Sequence, residues 1–369
     1  MSSHGAIGGR EAHDQVASWT DRWTPTSALK PEGAVVVDVH SHLLVPASAA
    51  VAAPQAKPEN DPRSLHSTPE TLAFNKAYFD LVNDRFTNPE PRLADMNMMG
   101  IDLQVISLAP PQYFYWLDGD LAPRVAATQN DRIAEVVASH PDRFAGLGTL
   151  PLRHPVAAVA EAERIASDHG FGGIEIGSDV AGVDLDDRSF DPIWAKLEDL
   201  EMVVMLHPAG FTEARRFSEY YLVNVMGIPL SSTLAVSRMI LGGVLERHPA
   251  LKLLVCHGGG YLPFYFARTD HAYKHRPELR RHISRPPSEY LNRLYFDSMV
   301  FSAAMVSYLV DRFGSEHVLL GTDYPFDMGE GDPLALISAS GLTDSDLRMV
   351  LGGNALQLLR INVEAGTSR

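Results

Sequence analysis

The chain has 369 residues, 45% hydrophobic and 21% charged, with 28 Gly and 25 Pro, which fits a globular protein of one large or two average domains and excludes disorder over most of its length. Thirty-one Lys and Arg against 46 Asp and Glu leave a formal net charge of −15, and with no basic run this excludes a grip on nucleic acid or anionic lipid. The one cysteine, Cys256, excludes an internal disulfide and a thiolate-only zinc cage.

Residues 1–33 are polar and aperiodic and read as a mobile or loosely docked N-terminal arm. Its opening, MSSHGAIGGREAHDQ, lacks the basic-then-apolar order of a secretion signal. No apolar run reaches the roughly 18 residues that a bilayer requires. A cytoplasmic protein without a membrane span is the expectation.

From Ala34 onward short apolar runs alternate with helical patterns. The runs are Ala34–His40, Leu103–Ala109, Phe144–Leu150, Gly172–Gly177, Met202–His207, Leu251–His257, Leu294–Met299 and Val318–Asp323. Each is rich in Val, Leu and Ile without strict polar alternation, the signature of a strand buried on both faces. The segments between them carry helical spacing, as in SSTLAVSRMILGGVLERHP before the sixth run. Eight strands alternating with helices predict an α/β chain folded as a closed (β/α)8 TIM-type barrel over residues 34–369. An open doubly wound sheet is disfavoured, because GLGTLP (Gly146–Pro151) lacks a third glycine and no GxxxxGK[ST] occurs. Residues 43–88 are too long for an ordinary connection and predict a lid-like insertion over the end of the first strand.

In such a barrel the chemistry gathers at the carboxyl ends of the strands. Here those ends carry His40-Ser41-His42, Glu175, His207, Cys256-His257, Asp297 and Asp323. Residues i and i+2 of a strand share a face, so His40 and His42 project inward together. The eighth strand brings Asp323 beside them, and His207 reaches across from the fifth. Three imidazoles and one carboxylate suit Zn²⁺, or another divalent ion such as Mn²⁺, with room for a substrate atom. His257 opens HGGGYLPF and is placed beside the ion as a general acid/base. Cys256, one step back along the strand, is expected to face away from the lumen and pack in the core. His140, His169, His248 and His275 fall on helices or loops and read as structural. No GxSxG elbow occurs, so serine hydrolase chemistry is excluded. Aromatics of PPQYFYW (Pro110–Trp116) are expected to wall a planar substrate.

Several long motifs then stand together: VDVHSH (Val37–His42), LHPAG (Leu206–Gly210), CHGGGYLPFYFARTDHAYKHRPE (Cys256–Glu278), RPPSEYLNRLYFDSMVF (Arg285–Phe301) and GTDYPFDMGE (Gly321–Glu330). In order and length they resemble the metal-dependent amidohydrolase superfamily, within it the branch typified by 2-amino-3-carboxymuconate 6-semialdehyde decarboxylase. The resemblance implies that His40, His42, His207 and Asp323 hold a divalent ion, usually zinc, with His257 as acid/base. It implies that Arg268 reaches a substrate carboxylate across a dimer interface, as a fixed guanidinium suits a carboxylate. An active-site tryptophan of the branch falls near Tyr220 or Tyr221, and Tyr220 is taken as its counterpart. The branch's second substrate arginine has no counterpart in register; Arg63 and Arg85 are nearby. Glu175 stands where a neutral amide is expected.

Two activities share this constellation. The first is non-oxidative decarboxylation of an aromatic or muconate-like acid, with Arg268, Tyr220 and Trp116 contacting substrate. The second is hydrolysis or hydration of an amide, lactone or activated double bond, with Glu175 and Asp297 as extra proton carriers or ligands. The expected partners are a small carboxylic acid and further copies of the chain in a homodimer or larger oligomer.

Overall fold

The computed structural model describes Trp23 and residues 25–28, 30–57, 65–211 and 215–362. Most of the predicted arm, and Arg63, lie outside the described residues. Eight parallel strands follow the eight apolar runs: β1 (Val37–Leu43), β2 (Leu103–Leu108), β3 (Phe144–Gly146), β4 (Gly173–Ile176), β5 (Val203–Leu206), β6 (Lys252–Val255), β7 (Tyr295–Asp297) and β8 (Val318–Leu319). They form an α/β fold with one parallel sheet of β1 to β3 and another of β4 to β8, neighbours in chain order. Single parallel bridges, Gly148 to Ile174 and Ser41 to Tyr324, lie at the two borders between the sheets. Two short antiparallel strands, Asp179–Val180 and Val183–Asp184, were not foreseen; they turn through Ala181 (φ 52°) and Gly182 (φ 84°).

The strands sort their side chains into two apolar clusters. Val37, Val39, Leu103, Val105, Leu147, Val203, Met205, Leu254, Cys256 and Leu319 pack together on one face of the sheets. Their neighbours in sequence, such as Val36, Ile106, Val204, Leu253 and Leu320, belong to a separate cluster shared with helices. This period-two split is what a strand buried on both faces produces. Cys256 therefore packs in the inner cluster, opposite to the side expected.

Seven helices bear on the site: α1 (Pro46–Ala52), α2 (Pro69–Thr87), α3 (Pro89–Met99), α4 (Leu121–Ser139), α5 (Ile228–Leu241), α6 (Leu262–His275) and α7 (Ala303–Phe313). The first two fall in the long connection after β1. Helix α1 docks on α4, where Gln129 Nε2 donates to Ser48 Oγ at 3.2 Å. Helix α2 starts at Thr68, whose hydroxyl accepts from Thr71 N at 3.2 Å ahead of Pro69. Where the arm ends, Trp23 is 3% exposed and packs on Tyr324 with ring centroids 5.3 Å apart.

Val223–Leu241 is the helix among the described residues that is long and apolar enough to cross a membrane by length and composition. The sequence reading passed over it because Pro229, Ser231, Ser232, Ser237 and Arg238 interrupt the apolar run. Ser232, Val236, Met239 and Ile240 bury one of its faces in the protein.

Candidate metal centre and active site

Strict alternation from Val37 and Val39 would turn His40 and His42 toward the helices. A register shift against β2, between Asp38 and Ser41, prevents this. The bulge reverses the parity, so His40 and His42 join the inner face while Ser41 points back to donate to Val105 O at 2.9 Å. Behind the bulge Asp38 Oδ1 accepts from His40 N at 3.1 Å and Thr322 N at 3.0 Å. Its Oδ2 accepts from Thr322 Oγ1 at 2.6 Å and Gln104 Nε2 at 2.8 Å. The buried Arg92 of α3 donates to Gln104 Oε1 at 2.8 Å, to Ser41 Oγ at 3.3 Å and to His42 O. One carboxylate thus ties together the ends of β1 and β8, with a guanidinium on its far side.

At the centre the Nε2 atoms of His40 and His42 lie 3.1 Å apart. Asp323 Oδ1 lies 3.1 Å from His42 Nε2, 3.4 Å from His40 Nε2 and 3.9 Å from His207 Nε2. Every Nδ1 is committed elsewhere: His40 to Asp297 Oδ2 at 2.7 Å, His42 to Leu108 O at 3.3 Å and His207 to Pro208 O at 2.9 Å. Such bonds fix the tautomer that leaves Nε2 as a lone pair. His207 Nε2 is buried with no hydrogen-bond partner among the described residues. The four donors all lie within 4.8 Å of one another, whereas a tetrahedral ion with bonds of about 2.0–2.1 Å separates its ligands by roughly 3.3 Å. The residues fit a divalent cation.

The electrostatics agree with that state. Burial lowers the His42 pKa to about 4, with His40 adding to the effect. Burial also pushes His207 well below its ordinary value. Asp323 stays well below the usual carboxylate range despite its burial, through His40 and the His207 and His257 imidazoles that surround it. His40 is the exception: burial opposes its charge, but Cys256, Asp323 and Asp297 raise its pKa well above normal. Asp297 is lowered although buried, through its bond with His40; it orients that imidazole and does not stand among the four convergent donors. Glu175 is buried, accepts from the Tyr113 hydroxyl, and has its Oε2 3.8 Å from His42 Nδ1. Burial raises its pKa to about 8.

His257 leaves the pleat altogether. Its backbone is left-handed (φ 57°), as is that of the following Gly258 (φ 59°), where an added Cβ would stand 2.3 Å from Val300 Cγ1. The turn aims His257 at the centre, with Nε2 3.6 Å from Asp323 Oδ2 and its ring 4.8 Å from that of His207. His207, His257 and Asp323 form the floor of a cavity of about 440 Å³. Phe326 closes one side, edge-on to His42 at 5.0 Å.

The predicted substrate contacts are not gathered there. Tyr220 is 86% exposed and lies outside the cavity wall; Tyr221 lines it and donates to Asp327 Oδ2 at 3.1 Å. Trp116 lies against Phe114 at 5.5 Å in a small cluster with Leu117 and Val125, away from the cavity. The alternate residues Tyr113 and Tyr115 turn inward and stack at 5.4 Å. Arg85 is engaged with Asp95 at 2.7 Å and with the Trp23 ring, and is not among the residues lining the cavity. Arg268 is exposed on α6 and makes no bond within the chain among the described residues. Part of the wall that the sequence does not reveal comes from α2, Asn75 and Phe79, and from Ser67 just ahead of it.

Fold and centre together define an α/β scaffold whose residues fit a divalent cation, and residues 37–361 match the amidohydrolase family, to which the chain belongs. It is 37% identical over 293 residues to the 2-amino-3-carboxymuconate-6-semialdehyde decarboxylase of Dictyostelium discoideum, covering 79% of this chain and 82% of that one. The crystal structure of 5-carboxyvanillate decarboxylase from Sphingomonas paucimobilis superposes with a TM-score of 0.80 at 26% identity, over 89% of this chain and all of that one. A 5-carboxyvanillate decarboxylase from Novosphingobium aromaticivorans, crystallised with manganese and 4-hydroxy-3-methoxy-5-nitrobenzoic acid, shares the fold with a TM-score of 0.80 at 23% identity, over 91% of this chain and 100% of that one.

Proposed function

We propose that this protein is a non-oxidative decarboxylase of an aromatic or muconate-like carboxylic acid, dependent on a divalent ion, zinc or manganese. The observation that carries the reading is the convergence of His40, His42, His207 and Asp323, with His257 alongside, at a cavity whose floor His207, His257 and Asp323 form, in a chain related to carbon–carbon lyases. We read the strands as a closed (β/α)8 barrel over residues 34–369, supported by the bridges at both sheet borders and the shared inner cluster. Residues 43–88 act as its lid through α2, and residues 1–33 as an arm.

His40, His42, His207 and Asp323 would hold the ion. When bound, it supplies a Lewis acid that draws the oxygens of an acidic substrate to the cavity floor. Asp297, Leu108 and Pro208 keep the three imidazoles aimed by holding each Nδ1. Phe326, Phe79 and Pro110 wall the ring and exclude water. The carbon–carboxyl bond breaks, CO2 leaves, and the electron pair remains in the conjugated substrate. His257 delivers a proton from Nε2 to that carbon and regains one from solvent.

Arg268 lies four residues after Phe264 and three after Tyr265, both exposed, so the three share one face of α6. This supports a homodimer, or a larger symmetric assembly, in which Arg268 serves the neighbouring copy. The test is product analysis of manganese- or zinc-loaded protein with aromatic carboxylates and muconates in isotopically labelled water. Stoichiometric CO2 without solvent oxygen in the product is expected; water addition or amide cleavage without CO2 would overturn the reading.

A further inference from the structure

The cavity has two chemically different sides. One is polar, with Ser67 just ahead of α2, Asn75 from α2, Asn224 ahead of α5, and the Tyr221–Asp327 pair. The other is apolar without interruption. Met305, Tyr308 and Leu309 sit at positions i, i+3 and i+4 of α7, so one face of that helix turns to the cavity. The Tyr308 hydroxyl, the one polar atom on that face, is already spent on Pro263 O at 2.7 Å, and its ring stacks on Phe264 at 4.8 Å. Deep in the cavity this side begins with Met299 and Leu309, each 2% exposed, beside the His257 turn. It runs past Ile228 and Met305 to Phe264 and Phe301, which are half exposed at the mouth. A volume of about 440 Å³ lies in the range that holds drug-sized ligands, and a single-ring acid on the floor leaves the apolar side unfilled.

We propose that this side is a binding subsite for an apolar substituent, and that the substrate is an aromatic acid bearing an alkyl chain or a second ring. The inference rests on the decarboxylase reading for the orientation of the acid, with the carboxyl end at the cavity floor. A chain lying from Met299 toward Phe264 exchanges water for thioether, aliphatic and aromatic carbon along its whole length. Each methylene buried in this way favours binding by roughly three- to fourfold.

The test uses hydroxybenzoic acids bearing no chain, a propyl chain or a pentyl chain, with the manganese-loaded full-length protein. Dissociation constants by calorimetry and CO2 release are read side by side. The pentyl acid is expected to bind and turn over with kcat/KM at least about tenfold above the unsubstituted acid. Met305→Glu is expected to bring the two within about twofold of each other, whereas Met305→Leu keeps the preference. Binding that does not tighten with chain length, or a preference untouched by Met305→Glu, overturns the subsite. Chain-dependent binding without any CO2 overturns the decarboxylase reading and leaves the subsite standing.

Discussion

His257 and Asp323 are both held with left-handed backbones, φ 57° and 56°, a conformation that costs a non-glycine residue on the order of 1–3 kcal/mol and persists at sites where geometry is needed more than stability. The two strained residues, the proposed ligand and the proposed proton carrier, face each other across the cavity floor at 3.6 Å. His257→Asn is therefore expected to retain stoichiometric metal by elemental analysis while turnover falls about 10²- to 10⁴-fold; unchanged turnover would remove His257 from the proton path. Glu175 makes a separate statement about pH. Its pKa is about 8 in the folded metal-free chain and about 4.3 in an unfolded one. The native state thus binds the extra proton between those values, and stability falls as pH rises through that window. Glu175→Gln is expected to flatten this loss, so that urea unfolding of metal-free protein shows the variant gaining on the parent as pH rises from about 4.3 to about 8, with a constant difference above that.

The elements show why some of the site was legible in sequence and some was not. A strand buried on both faces is a continuous apolar run, so all eight strands and their ligand-bearing ends stood out. The spacing of His40 and His42 placed them on one face, but the face itself depends on a bulge that the letters do not mark. Cys256 was assigned to the wrong side because parity was carried back from His257, whose direction is set by a left-handed turn and not by the pleat. In loops no period constrains the side chains, so the substrate wall slipped from Tyr221 to Tyr220, and Trp116 was taken inward where Tyr113 and Tyr115 turn in. The device holding the bulge yields its own prediction. Gln104 bridges Asp38 and Arg92, both fully buried, so Gln104→Leu strips a partner from each charge. About 3–5 kcal/mol of stability should be lost by urea titration. Metal affinity should drop about 10- to 100-fold by calorimetry because the Asp38 carboxylate that joins β1 to β8 loses a partner that fixes it; an unchanged affinity would separate the network from the centre.

At the scale of the molecule, metal, protons and assembly are linked. His42 and His207 are held neutral near neutral pH, whereas the His40 pKa is raised well above its ordinary value, so metal entry should expel a proton from His40 and affinity should rise with pH for as long as His40 is charged in the metal-free protein. Calorimetry in buffers of different ionisation enthalpy reads that proton directly, and a pH-independent affinity would contradict the charge assigned to His40. Assembly concerns the face around α5 and α6. Tyr261 N donates to Thr233 Oγ1 at 2.9 Å, joining α5, which carries exposed Leu234, to the turn ahead of exposed Phe264 and Tyr265 on α6. Val225 and Met226, just ahead of α5, are exposed as well, and exposed apolar side chains of this kind are what the proposed contact between copies would cover. Arg268 stands at its edge with no partner inside the chain among the described residues. If a second copy covers this face, a charge placed in its middle separates the copies and removes Arg268 from the neighbouring cavity at once. Leu234→Glu is expected to shift sedimentation at micromolar concentration from dimer to monomer and to raise KM at least about tenfold, the loss of a charge-assisted bond to the substrate carboxylate. Arg268→Ala should raise KM similarly while the dimer persists. A monomer that keeps its parental KM would place substrate recognition wholly within one chain.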